Sequence, residues 1–315
     1  MHIIVERDEV GKTPSQWTTD RIKFTTVIDE QAIQRFWQEH ACGDAQIGGL
    51  HKRFEGDYEK FFMQYDDFRY RNEPHLAACL DALDVAGKRV LEIGLGEGSD
   101  SERLIRNGGS WSGIDLTAES VERVRTRLML RNLPYDELRQ GTVLELPFQD
   151  GSFDIVFSHG VLHHVPDIQR AQNEIRRVLR RDGELVIMVY ARWSLNYLVA
   201  IALIRRVALL AAFPLARAGI FKSREGMLSA HLENASSVGL FRYLRLDEFV
   251  HHNTDGPANP YALVYDRRRL QQDFPSFRVI RTYKRFMHAP PLPVHDLPGA
   301  TILGWHLWAH LVPRA

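Results

Sequence analysis

Three glycines and one aspartate in the first half of the chain have the spacing of a nucleotide-binding turn. Gly94, Gly96 and Gly98 alternate within Val90–Asp100, which reads Val-Leu-Glu-Ile-Gly-Leu-Gly-Glu-Gly-Ser-Asp. Because glycine has no Cβ and adopts positive φ at little cost, such a turn lets a ligand approach the backbone closely. Asp115 follows about 20 residues later, where nucleotide-binding α/β folds place the acceptor for ribose hydroxyl groups. The stretch therefore predicts a site for a nucleotide-like ligand.

Two adjacent histidines could move a proton. His163 and His164 come just after a predicted strand, at its carboxyl end. The pKa of histidine lies near neutrality, so its ring suits a base, which typically accelerates a reaction about 10²- to 10⁴-fold. We expect His163 to be a catalytic or orienting residue and His164 to contact the substrate. Capping of a helix or packing in the core is the alternative for either ring.

A turn-rich segment at 251–261 is dense in side chains that can form hydrogen bonds. His251, Asn253 and Tyr261 are its candidate substrate-binding residues, and ordering of the turn is the alternative role. Adjacent histidines rarely point at one ion, so we expect no metal site here.

Composition and charge narrow the class of protein. Lys plus Arg and Asp plus Glu are both 40 among 315 residues, giving a formal net charge of +0. Nucleic-acid binding usually leaves a basic excess, so we expect no nucleic-acid partner. Cys42 and Cys79 give neither a disulfide framework nor a metal-ligand cluster, which fits a reducing, cytoplasmic location. The N-terminus lacks a long apolar run, so no secretory signal is expected.

From Lys88 onward, strand and helix patterns alternate. The predicted strands are Arg89–Ile93, Trp111–Asp115, Glu137–Gln140, Phe153–Ser158 and Glu184–Tyr190. The predicted helices are Ser101–Asn107, Ala118–Arg131 with Thr117 as its cap, and Ile168–Arg180. Such alternation is typical of a parallel, doubly wound sheet with helices on both faces. Ligands bind these sheets at the carboxyl ends of the strands near the switch point, where the glycine turn lies.

The region before this alternation is expected to be helical. Ile28–His40 and Tyr58–Asp67 carry apolar residues at helical spacing, and Pro74 fits the first turn of a helix that runs to Leu83. We interpret the aromatic side of Tyr58–Asp67 as a packing surface, with a lid over the ligand as the alternative.

A strongly apolar stretch, Ser194–Phe221, follows the alternating region. Arg205-Arg206 divides it into halves that are shorter than the roughly 18 apolar residues of a membrane span. We therefore expect a pair of buried helices over the sheet and no transmembrane segment, with weak interfacial contact with lipid as the alternative. Phe277–Phe286 and Ile302–Leu311 are predicted to be closing strands.

Four blocks of sequence resemble the class I S-adenosylmethionine-dependent methyltransferases, and specifically the small-molecule enzymes that include the ubiquinone-biosynthesis type. The blocks are Val90–Gly98 (VLEIGLGEG), Gly113–Leu116 (GIDL), Leu146–Asp167 (LPFQDGSFDIVFSHGVLHHVPD) and Glu174–Tyr190 (EIRRVLRRDGELVIMVY). Two tail segments, Asp255–Tyr265 and Gly304–Trp308, resemble a subset found in bacterial specialised metabolism and glycan gene clusters.

The resemblance implies a Rossmann-like sheet of seven strands whose last strand is antiparallel. We accordingly divide the chain into an N-terminal helical cap (1–87), an S-adenosylmethionine-binding core (88–192), a helical insertion that caps the substrate (193–262) and the C-terminal part of the sheet (263–315).

The resemblance also implies roles for individual residues. The residues expected to bind S-adenosylmethionine are Glu92, Gly94, Gly96, Gly98, Asp115, Leu116, Val143, Leu144, Ser158 and His159. In related amine methyltransferases the position of His163 faces the substrate, and the region around Tyr70 folds over the cofactor, so Tyr70 is a second candidate for catalysis. Many relatives carry an aspartate that accepts from the adenine amino group, and Thr142 stands in its place here.

These observations predict an enzyme that transfers a methyl group to nitrogen or oxygen of a small-molecule acceptor, and that could act as a homodimer. An RNA or protein methyltransferase is one alternative, with Arg267–Arg269 as part of its basic footprint. A catalytically inactive cofactor-binding subunit is another. An NAD-dependent enzyme is disfavoured because Ser99 occupies the place of the third glycine in a dinucleotide turn.

Overall fold

A seven-stranded sheet forms the centre of the computed structural model, which describes residues 30–41, 43–220 and 226–314. The strands are β1 (Arg89–Ile93), β2 (Ser110–Asp115), β3 (Glu137–Gln140), β4 (Phe153–His159), β5 (Leu179–Tyr190), β6 (Phe277–Arg285) and β7 (His306–Pro313). Their order across the sheet is β3-β2-β1-β4-β5-β7-β6. β1 to β5 pair in parallel, and β7 is antiparallel to both β5 and β6. The predicted fold class, with its antiparallel last strand, is confirmed.

Helices cover both faces of the sheet and extend beyond it. They are α1 (Glu30–Glu39), α2 (Asp44–Ile47), α3 (Leu50–Arg53), α4 (Tyr58–Asn72), α5 (His75–Asp81), α6 (Ser99–Arg106), α7 (Ala118–Leu130), α8 (Ile168–Val178), α9 (Asn196–Arg217), α10 (Met227–Val238), α11 (Leu240–Tyr243), α12 (Leu246–Phe249), α13 (His251–Thr254), α14 (Arg267–Asp273) and α15 (Ala300–Leu303). The predicted helix start at Ile28 and the residue Cys42 lie outside the described residues.

Alternate side chains of the parallel strands enter two separate hydrophobic cores. Leu91 and Ile93 of β1 pack with α8 and α14 on one face of the sheet. Val90 of β1 packs with α5, α6 and α7 on the other face. Because both of their faces are buried, β1 and β4 read as nearly continuous apolar runs, which is why their positions could be predicted from the sequence.

The glycine turn lies at the point where the sheet reverses its winding. β1 pairs with β2 on one side and with β4 on the other, so the connections that leave β1 and β4 run in opposite directions. This reversal leaves a crevice outside the carboxyl ends of the two strands, and open α/β sheets bind ligands in that crevice. The turn after β1 enters α6 through Gly98, which has φ 78° and precedes the first helical residue.

The closing strand begins later than the sequence suggested. Ile302 belongs to the short helix α15, and β7 starts only at His306. Ile302 is 70% exposed, so its apolar side chain does not contribute to the sheet core. A short apolar run fits a strand and a helical turn equally well by periodicity alone.

The apolar stretch after β5 also differs from the expected pair of buried helices. It forms the single continuous helix α9, which is largely exposed. Its hydrogen bonding changes from π-type in Asn196–Arg205 to α-type in Arg206–Arg217, but the chain does not turn back on itself at the two arginines. Their guanidinium groups donate to backbone carbonyls of other segments: Arg205 to Asn253 O and Pro290 O, and Arg206 to Leu244 O. The two arginines therefore mark a change of helix type and not the end of a helix.

Candidate active site

A cavity opens at the carboxyl ends of β1, β2, β4 and β5 and is covered by α1 and α4 from the N-terminal region. Its walls combine the glycine turn, the ends of the strands and side chains from these two helices. Asp255, just beyond α13, also reaches it. The cavity therefore draws on the N-terminal region, the sheet and the segment after β5.

Gly94, Gly96 and Gly98 all lie on the cavity wall with positive φ values of 79°, 52° and 78°. A Cβ on Gly94 would come within 2.1 Å of Val161 Cγ2, so any larger residue would collide with the segment after β4. A Cβ on Gly96 would meet no atom of the described part of the chain within 4 Å. The glycine at 94 is thus needed for packing, and the one at 96 keeps the backbone open to the cavity.

Asp115 at the end of β2 also lines the cavity. Its Oδ2 accepts from the Leu95 amide at 2.7 Å, and its Oδ1 accepts from the amide and hydroxyl groups of Thr117, both at 2.8 Å. Burial raises the pKa of this carboxyl group, and the backbone donors partly offset that effect. These bonds fix the carboxylate between the glycine turn and the start of α7. Leu116 beside it is also part of the wall.

A carboxylate that sequence reasoning missed adjoins Thr142. The Thr142 hydroxyl donates to Glu30 Oε2 at the start of α1 and accepts from the Leu144 amide at 3.1 Å. Glu30, Thr142 and Val143 line the cavity, whereas Leu144 packs against the core outside it. No pattern within the core blocks pointed to Glu30, because it lies 112 positions from Thr142.

An ion-pair cluster borders the same cavity where α4 crosses the start of α6. Arg69 Nη2 donates to both carboxylate oxygens of Asp100 at 2.9 Å, and His159 Nδ1 lies 2.8 Å from Asp100 Oδ2. Burial would raise the pKa of Asp100, but the charges of Arg69 and His159 outweigh burial and lower that pKa. His159 lines the cavity, whereas Ser158 is buried behind it and donates to Ile93 O.

Glu92 lies below the cavity wall, not on it. Its Oε2 accepts from Trp111 Nε1 at 2.8 Å, and the side chain is almost completely buried. Burial, together with the negative charge of Asp100, raises the pKa of Glu92 to about 8. The carboxyl group is therefore protonated at neutral pH, and it supports the turn above it.

His164, Asp255 and Tyr190 meet on another part of the wall. His164 Nδ1 lies 2.7 Å from Tyr261 O and must donate its proton there, because a carbonyl oxygen only accepts. His164 Nε2 lies 3.3 Å from Asp255 Oδ2, while the Tyr190 hydroxyl donates to Asp255 Oδ1 at 2.6 Å. Burial would raise the pKa of Asp255, but the hydrogen bond and charge of His164 lower it. The Asp255 carboxylate thus faces Nε2, the ring nitrogen that carries no proton in this tautomer and that is itself buried.

The structure places His163 behind the cavity wall, in contrast to the expectation that it would face the acceptor. Its ring is fully buried, with its centroid 3.9 Å from that of Tyr190 and 4.2 Å from that of His164. Neither ring nitrogen has a hydrogen-bond partner among the residues that the structure describes, and burial lowers the pKa of His163 far below its usual value. The ring is therefore neutral and packs in the core, while the next residue in the short 3₁₀ turn Leu162–His164 turns toward the cavity.

The other predicted acceptor-side residues also lie outside the lining. The Tyr70 hydroxyl faces Ser99 O at 3.5 Å, and burial raises its pKa. His251 Nδ1 contacts Ala262 O at 2.7 Å, and the Asn253 amide donates to Phe249 O at 2.8 Å. Tyr261 contributes through its carbonyl group, which orients His164. This segment orders a turn, and the residue that it brings to the cavity is Asp255, which stands first in one of the two tail segments noted above.

A further polar group lines the cavity near β7. His306 Nδ1 lies 3.1 Å from His75 Nε2 and 3.9 Å from Glu73 Oε2. Burial lowers the pKa of His306 far below its usual value and that of His75 to about 3, so both rings are neutral. Burial also raises the pKa of Glu73, with Arg69 acting in the opposite direction. The neutral ring of His306 offers a hydrogen bond to a ligand without adding a positive charge.

Comparison with known proteins finds a methyltransferase domain in the part of the chain that forms the parallel strands. Residues 91–187 match the family model described as a methyltransferase domain. An uncharacterized 37.1 kDa protein from a transposon of Streptomyces fradiae is 42% identical over 112 residues, which is 34% of this chain and 32% of that protein. The phosphatidylethanolamine N-methyltransferase of Cereibacter sphaeroides is 37% identical over 107 residues, which is 34% of this chain and 52% of that enzyme.

Among solved structures, a complex of the Haloferax volcanii Trm112 methyltransferase activator with a methyltransferase has a TM-score of 0.50 and 14% identity. The match covers 90% of this chain and 98% of that one, and it shows the fold alone. The sequence matches span between a third and about half of the curated relatives. Residues 91–187 thus form a methyltransferase domain of the type whose cofactor is S-adenosylmethionine.

Proposed function

We propose that the protein transfers the methyl group of S-adenosylmethionine to a nitrogen or oxygen atom of a small-molecule acceptor. The observation that carries this proposal is one cavity with two different ends. The glycine turn and Asp115 border its donor end, and the His164–Asp255 pair borders its acceptor end. We also propose that the enzyme is similar to the ubiquinone-biosynthesis type and that its chain has the four parts defined above. We further propose that it acts in the cytoplasm as a homodimer.

At the donor end, each part of the cofactor has a suitable partner. The carboxylate of Asp115 accepts from the ribose hydroxyl groups, and the open backbone at Gly96 admits the methionine portion. The adenine amino group donates to the Glu30 carboxylate, which takes over the task that an aspartate at position 142 performs in relatives. Thr142 holds that carboxylate in place.

At the acceptor end, the chemistry is an in-line displacement at carbon. The acceptor's nitrogen or oxygen atom bonds to the methyl carbon, the carbon–sulfur bond breaks, and the sulfonium becomes the thioether of S-adenosylhomocysteine. The donor is already activated, so the protein mainly positions the acceptor and excludes water. His164 Nε2 receives the acceptor's proton, and Asp255, 3.3 Å away, stabilises the resulting imidazolium.

Two measurements test the proposal. Calorimetry with S-adenosylhomocysteine should show binding; binding of NADH in its place would overturn the cofactor assignment. Label from methyl-tritiated S-adenosylmethionine should then enter the small-molecule fraction of a cell extract in the presence of the protein. Label in RNA or protein would favour the macromolecular alternative, and cofactor binding without transfer to any fraction would favour an inactive subunit.

A further inference from the structure

The outer side of α9 is a continuous apolar surface. Leu203, Val207 and Leu210 follow one another at helical spacing and are 56%, 55% and 47% exposed. Leu198 and Leu215 are also exposed toward the two ends of the helix. Isolated exposed leucines are ordinary, but a stripe along one helix marks an interaction site. We call these five residues the outer stripe.

The opposite side of α9 holds the helix against the protein. Ile201 and Leu209 are almost completely buried and pack in a cluster with Tyr243 and Phe249. By length and composition, α9 is the one helix in the described parts of the chain that could cross a membrane. Since one of its sides is anchored in a protein core, the folded helix can lie on a surface but cannot be surrounded by lipid.

The two arginines in the middle of α9 leave the outer stripe uncharged. Arg205 donates to Asn253 O at 2.7 Å and to Pro290 O at 2.8 Å, and Arg206 donates to Leu244 O at 2.8 Å. Both guanidinium groups are therefore directed toward other segments of the protein. The arginine pair, which in the sequence argued against a membrane span, is thus hydrogen-bonded to other segments of the folded protein.

The segment that carries the stripe brings cations and no acidic residue of its own, although the Trp193 indole at its edge donates to Asp266 of another segment at 3.2 Å. The sequence from 191 to 224 contains no Asp or Glu. Exposed cations stand near both ends of the helix, Arg192 before it and Arg217 at its last residue. Trp193, 54% exposed, lies under the Arg192 guanidinium at 5.6 Å. Tryptophan and arginine at the edge of an apolar surface match the interface between lipid headgroups and acyl chains.

We propose that α9 docks in the plane of an anionic phospholipid bilayer, with the outer stripe among the acyl chains and the flanking cations among the headgroups. A second copy of this chain fits less well, because its own segment 191–224 would bring the same cations without a carboxylate in that segment to pair with them. The inference depends on α9 and the two residues Arg192 and Trp193 before it, and it holds whether or not the proposed catalytic function is correct.

The test is co-sedimentation of the full chain with vesicles. Vesicles of phosphatidylcholine containing about a third of phosphatidylglycerol should carry the protein into the pellet, and pure phosphatidylcholine vesicles should carry less. The double variant Leu203→Gln and Leu210→Gln should lower the partition coefficient at least about tenfold. The matched control is Met129→Gln with Leu130→Gln on α7, where the side chains are 62% and 53% exposed, and its partition should equal that of the wild type.

Three results would overturn the inference. One is wild-type protein that stays in the supernatant with anionic vesicles. Another is a Leu203→Gln and Leu210→Gln variant that binds as well as the wild type. The third is a wild-type dimer, seen by light scattering, that the same variant converts to a monomer without any vesicle binding.

Discussion

The two ends of the cavity are built in different ways. At the donor end, the glycine turn and Asp115 follow adjacent strands and lie about twenty residues apart, and backbone amides fix the carboxylate. At the acceptor end, His164, Tyr190 and Asp255 come from three separate segments, with 65 positions between the last two. The donor end is thus a property of the parallel sheet, whereas the acceptor end depends on the long segment inserted between β5 and β6.

This difference teaches where each part of the function resides. Geometry at the switch point of the sheet provides a site for the donor before any distant segment is added. The acceptor end requires the segment after α13 to fold back onto the end of β5, where Tyr190 donates to Asp255. Changes to the inserted segment should therefore alter the acceptor reaction and leave the donor site in place.

The largest effect is expected at His164. Replacing it with alanine removes the proposed base and should lower turnover about 10²- to 10⁴-fold with little change in affinity for S-adenosylhomocysteine. The measurement is single-turnover methyl transfer to the acceptor identified by labelling. His163→Leu is the matched control, since the buried ring makes no hydrogen bond through its side chain, and its turnover should stay within about threefold of wild type. A large loss of turnover in His163→Leu with little loss in His164→Ala would instead identify His163 as the base.

The next effect concerns stability and pH at Glu92, below the donor end. The pKa of Glu92 is about 8 in the folded protein and 4.5 in the unfolded chain. The contribution of Glu92 to the free energy of unfolding is therefore complete below pH 4.5, and it is lost as the pH rises toward 8. Between these two pKa values the wild-type protein loses about 1.4 kcal/mol of unfolding free energy for each pH unit. Glu92→Gln should remove this loss, because glutamine does not titrate. Urea unfolding at pH 5.5 and pH 8.5 should show the variant gaining on wild type by up to about 3 kcal/mol at the higher pH. Exposed Glu119→Gln should show no such gain.

A smaller effect is expected at Asp115. Asp115→Ala should weaken binding of S-adenosylhomocysteine about 100-fold, because hydrogen bonds from ribose hydroxyl groups to a carboxylate are lost. Asp115→Asn keeps an accepting oxygen, so its affinity for S-adenosylhomocysteine, measured by calorimetry, should lie between those of Asp115→Ala and the wild type. Circular dichroism must show both variants folded, because the same carboxylate also accepts from Leu95 and Thr117. Equal affinity in all three proteins would contradict a ribose role.

The smallest effect is expected at Glu30. Glu30→Ala should weaken the binding of S-adenosylhomocysteine about tenfold, which corresponds to the loss of one hydrogen bond to a charged group. S-inosylhomocysteine carries an oxygen where adenine has its amino group. It should bind weakly to the wild type, and Glu30→Ala should weaken its binding little further. Glu39→Ala at the other end of α1 is the control. A tenfold loss for both ligands would mean that Glu30 acts only through Thr142.

Much of the fold could be predicted because its signals are local. Leu91 and Ile93 face one core and Val90 the other, so β1 is apolar throughout and bounded by a glycine turn. Ile302 could not be assigned in this way, since a short apolar run fits either a strand or a helical turn. The burial of α9 was overestimated because hydropathy records the character of side chains and not the presence of a partner.

The sequence by itself determined the parallel sheet, the glycine turn after β1 and the position of Asp115, because strand periodicity and turn chemistry act over a few residues. Tertiary structure alone decided which of two adjacent histidines faces the cavity, since the rotation of the turn Leu162–His164 depends on packing against Tyr190. It also decided that Glu30 meets Thr142 across 112 positions. Contacts of that range are fixed by how whole elements pack, and no local pattern in the chain encodes them.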